Sequence, residues 1–589
     1  MADLQDKLSA NSKAHEHFHK SLMIDNTFHV DAGQWGMLRA ACLDPATTVA
    51  TIEAIGAGAL PPLGPTQQSA FKPGAKPMGP SPFVSPMAAW AGTDGLSPEP
   101  KDVKMPAPPS TTSKGMAAEM NELYWMSALR DEPFETLGSK AAAMGGVADI
   151  NQGYNDALAG NPEMASLRDF PLDGAGHANF TDKTIFRMGL AGTPGSSLET
   201  DGPFVSQFFL HRINYGAQLI LPSQHPYRAQ TEYLYTLSDW LLAQNTGLDR
   251  DGNAYNHDND AGFDRNHFEY TLDADGKPVF PRYYIRNMRD LCRFVNRDAL
   301  HQAYFNAALL LNNWGAKANP GNALRKMNAK RQGGFATLGG PDSLALVSWM
   351  ACDALRTVWH QKWRVWLRMR PEAFGGIATI APAQLGGAFA ALQGLKGHTV
   401  KMAPETYLLP MAFSAGSPAH PSYGAGHASV AGACVTLLKA WFDGSQKLVE
   451  IFAKAPRIDP SMDDPKVLTS PVGSGDPPKW TDAEAENLTV EGELNKVAAN
   501  VAMGRSMGGV HFRTDNTRSL RLGELVTTVF LVNFIKTYQE EGQEFIFTSF
   551  DGEPISISIA NGNGKAKVGN TPNLSGADLV SRYNATGHI

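Results

Sequence analysis

The sequence predicts an all-α fold, and three observations carry that reading. From about residue 341, apolar residues recur three to four apart through "SLALVSWMACDALRTVWHQKWRVWLRMR", "ASVAGACVTLLKAWF" and "LGELVTTVFLVNFIKTYQEE", the period of one helix face. Earlier stretches such as "RDALHQAYFNAALLLNNW" share that period, set among long polar loops. Strand-like alternation is read only in the tail, "FIFTSFDGEPISISI", as a small C-terminal hairpin.

The chain has 589 residues, 43% hydrophobic and 19% charged, with a net charge of −7. It is long enough to bury a large core without a metal or disulfide staple. No basic balance points to nucleic acid. The start, "MADLQDKLSANSKAHEHFHK", lacks the basic and apolar regions of a secretory signal, and "LVTTVFLVNFI" is too short to cross a bilayer. A soluble protein without a membrane partner is expected. Cys42, Cys292, Cys352 and Cys434 are scattered with no CxxC pair, which suggests neither a zinc site nor a disulfide framework.

Taken in order, residues 1–115 form an N-terminal segment, Pro- and Gly-rich from 58 onward and read as an irregular surface arm. Its "HEHFH", His15 to His19, reads as a solvated helix face. Residues 116–340 are helical but loop-rich. Within them Asp249, Asp251 and Asn253 alternate like a calcium loop, although Ala254 stands where an EF-hand needs Gly, so a structural calcium is only a candidate there. Residues 341–545 are the strongly helical half and 546–589 the tail. One compact unit without internal repeats is expected.

Chemistry concentrates in three segments of the helical half. In "KWRVWLRMRP", Lys362, Trp366 and Arg370 are spaced by four, so on a helix they share one face, drifting about 40° per step. Pro371 should stop that helix near Arg370. Two cations on an aromatic-rich face are costly to bury unless an anion meets them.

In "HPSYGAGHASVAG", His420 to Gly432, a run of small residues cannot fill a core, so its backbone is expected to come close to a ligand. A glycine turn entering a helix offers unpaired N–H groups to an anion, Gly426 permits close approach, and His427 can exchange protons. In "GRSMGGVHFRTD", Gly508 and Gly509 can break the helix after Arg505 and turn His511 back beside it; Asp515 either orients an imidazole or caps the next helix, with capping the favoured reading. Each segment alone has a plainer reading: snorkelling cations, histidines satisfied near a turn, an ordinary cap.

Together and in this order, Lys-(x7)-Arg-Pro, His-Pro-Ser-Tyr-x-x-Gly-His and Arg-(x5)-His-(x3)-Asp resemble the vanadium-dependent haloperoxidases, which share their site with the type 2 phosphatidic acid phosphatase superfamily. The resemblance covers roughly 341–525. The chain length, the seven-residue Lys-to-Arg gap and "DGPFVSQFFLHRINYG" are similar to the bromoperoxidase branch.

The resemblance implies two four-helix bundles and a vanadate cofactor, with His511 as the axial metal ligand. Lys362, Arg370, Arg505 and the Gly426 N–H would hold the vanadate oxygens, and His427 would accept a proton from hydrogen peroxide. Lys362 would also polarise the peroxide for attack by a halide, with Trp359 and His420 at the halide pocket. Bromide or iodide is the expected halide, because chloroperoxidases usually carry Phe where His420 stands. A small organic acceptor and a homo-oligomer complete the expectation.

The loop departs from the family at Ala425. The usual Pro-Ser-Gly-His is here Gly424-Ala425-Gly426-His427, so the hydroxyl that would bond a vanadate oxygen is missing, and neither Ser422 nor Ser429 is in register to replace it. Two other functions share these residues: a phosphatase with His511 as nucleophile, and a non-catalytic helical scaffold.

Overall fold

The computed structural model describes residues 83–255, 267–455 and 465–589. The His15–His19 face, Cys42, the arm before residue 83 and the end of the Asp249 loop lie outside the described residues.

Helices of eight residues or more run, in chain order, α1 (Lys114–Ala128), α2 (Phe134–Ala143), α3 (Gly146–Gly160), α4 (Leu237–Thr246), α5 (Met288–Arg297), α6 (Gln302–Trp314), α7 (Gly340–His360), α8 (Pro371–Ile380), α9 (Gly386–Gln393), α10 (Gly426–Trp441), α11 (Val490–Met507), α12 (Arg513–Phe534) and α13 (Gly576–Thr586). Several start where the chemistry of the chain dictates. Ser113, Thr236, Asn287 and Thr489 each accept a first-turn N–H at the head of α1, α4, α5 and α11, satisfying donors that a helix end otherwise leaves unpaired. Helix α10 has no such cap, since its N-cap is Ala425.

Every residue of α10 is buried, and it packs against α7, α11 and α12. The small residues of its first turns serve that packing as well as any ligand. A Cβ added at Gly432 would overlap the Leu520 carbonyl of α12, and one at Gly523 would overlap the Ser429 carbonyl of α10. The two backbones therefore cross at a separation that a side chain on either glycine would prevent. The close approach expected of this run is present, and at its far end what it approaches is a helix.

Helix α12 carries many polar residues yet is buried from Arg513 to Val532. Buried charge of this kind requires partners, and it has them. Arg513 donates to Glu122 of α1 at 2.8 Å, Arg518 pairs with Asp169 at 2.7 Å and Arg521 with Asp551 at 2.6 Å. These ties bind the loop-rich first half and the tail to the helix that frames the site. Among the described residues no helix is long and apolar enough to cross a membrane.

The tail differs from the expected hairpin. Strands β1 (Phe545–Thr548), β2 (Pro554–Ala560), β3 (Asn563–Val568) and β4 (Thr571–Leu574) form a four-stranded antiparallel meander, followed by α13. Phe545, Ile555, Ile557, Ala566 and Val568 face inward. The last two strands escaped the sequence reading because the inward positions of the third, Gly564, Ala566 and Val568, are mostly too small to read as an apolar set, and the fourth reads Thr-Pro-Asn-Leu.

Candidate active site

Lys362 and Arg370 do converge, but not by sharing a helix face. Helix α7 ends at His360 and passes into a π-helical turn, Gln361–Trp366, which Leu367 closes in the left-handed region at φ 46°. Arg370 is extended, with φ −83° and ψ 156°, and Pro371 opens α8. The extended conformation is what a residue before proline prefers. The helix expected to reach Arg370 thus stops four residues early, and a chain reversal brings the two cations together. Trp366, expected on the same face, instead meets Tyr423 edge-on at 5.8 Å.

Arg370 ties the other two segments to each other. Its Nε donates to the His420 carbonyl at 2.9 Å, Nη1 donates to the Val510 carbonyl at 2.7 Å and faces His511 Nε2 at 3.1 Å, and Nη2 lies 3.0 Å from His420 Nδ1. Lys362 Nζ donates to the carbonyls of Pro421 and Ser422 at 2.7 and 3.2 Å. Arg505 reaches the Val295 carbonyl through Nη1 at 2.8 Å and the Tyr255 hydroxyl through Nη2 at 2.9 Å, while its buried Nε has no partner among the described residues.

The turn to His511 forms as the glycines predict. The Val510 N–H reaches back to the Arg505 carbonyl at 3.2 Å, with Gly509 left-handed at φ 83°. Asp515 then does both of the things it was weighed for. Its Oδ2 accepts from the Phe512 N–H at 3.0 Å, capping α12, and faces His511 Nδ1 at 3.0 Å.

His427, in the first turn of α10, points Nε2 at Asp298 Oδ1, 3.0 Å away. Trp359 and His420 lie side by side with ring centroids 5.0 Å apart, and Lys362 Nζ sits 5.5 Å from the Trp359 ring. A Cβ at Gly426 would come within 3.1 Å of the Trp359 ring, so the glycine lets α10 start against it. The Ala425 N–H donates to Ser519 Oγ at 2.8 Å.

The electrostatics show what this assembly lacks. Burial, then Arg370 and Arg505, hold Lys362 well below the usual lysine range, with Asp515 opposing. Burial and Arg505 bring Arg370 down to about 9. His511 is pushed well below the imidazole range by burial and then by Arg370, Lys362, Arg505 and His427. Burial lowers His427 too, and Asp298 pulls it back up. The donors of Lys362, Arg370 and Arg505 go to carbonyls, imidazoles and a phenol rather than to carboxylates. Buried cations so arranged call for an anion. An oxyanion such as vanadate fits: the Arg505 Nε is orphaned, α10 opens without a side-chain cap, and Nε2 of His511 faces a donor and so holds a lone pair.

Asp298, Arg368, Glu119, Tyr255 and Ser519 were not found in the sequence: Asp298, Glu119 and Tyr255 reach the site from distant segments, while Arg368 and Ser519 lie within or just after the motif segments but act on partners far away in the chain. At the candidate calcium loop, Asp249, Asp251 and His267 bring ligand atoms within 4.8 Å of one another. Asp249 Oδ1 already accepts the N–H groups of Asp251 and Asn253 at 2.9 Å each.

Comparison with known proteins agrees with this geometry. The family model for the VCPO second helical-bundle domain matches residues 342–540. A vanadium-dependent bromoperoxidase of Corallina pilulifera is 32% identical over 497 residues, covering 78% of this chain and 77% of that protein. One of Ascophyllum nodosum is 29% identical over 555 residues, covering 92% and 86%. The solved structure of the second vanadate-dependent bromoperoxidase of Ascophyllum nodosum, described as homohexameric, shares the fold with a TM-score of 0.72 at 23% identity, covering 97% of this chain and 89% of that one. The helical fold and these relatives together place the chain in the vanadium-dependent haloperoxidase family.

Proposed function

We propose that this chain oxidises bromide or iodide with hydrogen peroxide at a vanadate held by Lys362, Arg370, Arg505 and His511, releasing hypohalous acid that halogenates a small organic acceptor. The observation that carries the reading is the buried trio of cations, one of them facing His511 Nε2, with no carboxylate among their hydrogen-bond partners in the described residues. Vanadate, when bound, supplies an electrophilic oxyanion centre that activates peroxide toward halide. The protein does the rest. Charge-assisted hydrogen bonds from Lys362 and the two arginines hold the oxyanion charge, and His511 offers Nε2 as the metal ligand.

His427 moves the proton. With Nε2 donating to Asp298, the basic nitrogen is Nδ1, and a neutral imidazole lowered by burial is ready to take the proton from peroxide at working pH. Lys362 lies beside the Trp359 ring, so its charge can polarise the peroxide on the side that Trp359 and His420 line. A polar His420 at that side favours bromide and iodide over chloride.

Protein freed of vanadate, assayed for bromination of a phenol dye with and without added orthovanadate, tests the reading. Activity should appear only with vanadate, and phosphate should compete as a second tetrahedral oxyanion. Activity that survives removal of vanadate would overturn it. We extend homo-oligomeric assembly to this chain from the homohexameric structure of similar fold, to be checked by light scattering in solution.

A further inference from the structure

Arg368 lies between Lys362 and Arg370 on the reversed strand, yet it turns away from the pocket that both of them face. It is fully buried, and its guanidinium donates to Asp515 Oδ1 at 2.6 Å through Nη1 and to Glu119 Oε2 at 2.8 Å through Nη2, with the Phe512 ring 4.1 Å away. Glu119 belongs to α1, outside the matched bundle domain, and its other oxygen accepts both the N–H and the hydroxyl of Thr514 at 2.7 Å each. The acid and the arginine thus grip the first turn of α12 from two sides.

The grip ends at His511. Asp515 gives Oδ1 to Arg368 and Oδ2 to the Phe512 N–H and to His511 Nδ1, so both oxygens are committed and the carboxylate cannot swing. A carboxylate fixed opposite Nδ1 makes that nitrogen the N–H donor. At the other edge of the ring, Arg370 Nη1 can only donate, which makes Nε2 the acceptor. Both edges assign one tautomer, the one whose lone pair points among the cations.

We propose that Arg368 and Glu119 are positioning residues for His511: they lock Asp515 so that the imidazole presents the bare Nε2 that a metal requires. The inference rests on the reading of this pocket as a vanadate site. It predicts a discrimination that the cation trio alone does not provide. Vanadium can take a nitrogen ligand, whereas phosphate is held only by charge and hydrogen bonds. An imidazole released into the other tautomer still donates a hydrogen bond to phosphate but can no longer ligate vanadium.

The test measures binding of orthovanadate and of inorganic phosphate separately, by calorimetry and by vanadium-51 resonance, in the wild type, Arg368→Gln and the double variant Arg368→Gln/Glu119→Gln. The double variant removes one cation and one carboxylate together, which guards against unfolding of the single variant from uncompensated buried acids. Expected is a loss of vanadate affinity of about tenfold to a hundredfold, the usual effect of removing support behind a metal-ligating histidine, with phosphate affinity nearly unchanged. A folded double variant that binds both anions as the wild type does would overturn the proposal, and so would an equal loss of both, which marks a general collapse of the pocket. A wild type that binds phosphate but not vanadate overturns this proposal together with the function it rests on.

Discussion

Two of the three imidazoles at the site, His511 and His427, are backed by a carboxylate, and the two supports are built differently. Behind His511, Asp515 lies four residues along the same chain segment, and both of its oxygens are engaged, by Arg368, Phe512 and the imidazole itself. Behind His427, Asp298 comes from the end of α5, 129 positions away, and its Oδ2 is buried without a partner among the described residues. A metal ligand gains from a fixed ring and one tautomer. A proton carrier must exist in two protonation states, and a support with an unused oxygen can answer both. The contrast suits the roles proposed for the two histidines, and it does so without reference to the motifs.

The largest expected effects test that assignment directly. His511→Ala should abolish measurable vanadate binding, and peroxidase activity with it. His427→Ala should leave vanadate binding within a few fold while cutting kcat by about 10²- to 10⁴-fold, the range general acid–base catalysis supplies. Vanadate titration combined with steady-state kinetics separates the two. Equal losses of binding in both variants would erase the distinction.

Asp298→Asn sharpens the same contrast at a smaller scale. Asp298 raises the pKa of His427 against the lowering by burial, Arg505 and Lys362. Without its charge that pKa falls further. Activity needs neutral His427 and is lost as pH drops through its pKa, so the acid limb of the kcat profile should move to lower pH. The plateau should fall as well, by roughly tenfold to a hundredfold, because a weaker base remains in place. A limb that moves to higher pH would contradict the role given to Asp298.

These supports also mark where the sequence stops being readable. The link from His511 to Asp515 lies within four residues and Gly509 sits where the turn needs a left-handed residue, so that part of the site was legible, as were the long periodic helices α7, α10 and α12. Asp298, Glu119 and Arg368 act across separations that no local pattern records. The π-turn at Gln361–Trp366 was hidden because the apolar spacing continues through it, and only the extended Arg370 before Pro371 shows where the helix could not go on. The run of small residues from His420 to Gly432 suggested a ligand, and its helix contact was hidden because Gly523, which lies against the backbone of α10 at Ser429, stands 94 residues further on than that serine in the sequence.

The smallest expected effect concerns the one place where the His427 side departs from the family. Ala425 is the N-cap of α10, extended at φ −80° and ψ 122°, a conformation suited to a capping serine, and its own N–H is already satisfied by Ser519 Oγ. In Ala425→Ser the new hydroxyl can accept a first-turn N–H with a lone pair and donate its proton to an oxyanion, so the two gains do not compete. The cap is worth about 1 kcal/mol to the fold. A hydrogen bond to a charged oxygen is worth about 1.5 to 3 kcal/mol, or roughly tenfold or more in vanadate affinity, less whatever an ordered water already supplies. Ala425→Val should instead weaken vanadate binding by crowding a fully buried position. Thermal melts without vanadate read the cap, and reconstitution of peroxidase activity against vanadate concentration reads the bond. A serine variant that melts higher yet binds vanadate no better would show that residue 425 faces the helix end alone, and that the cations and His511 carry the whole of the oxyanion's binding.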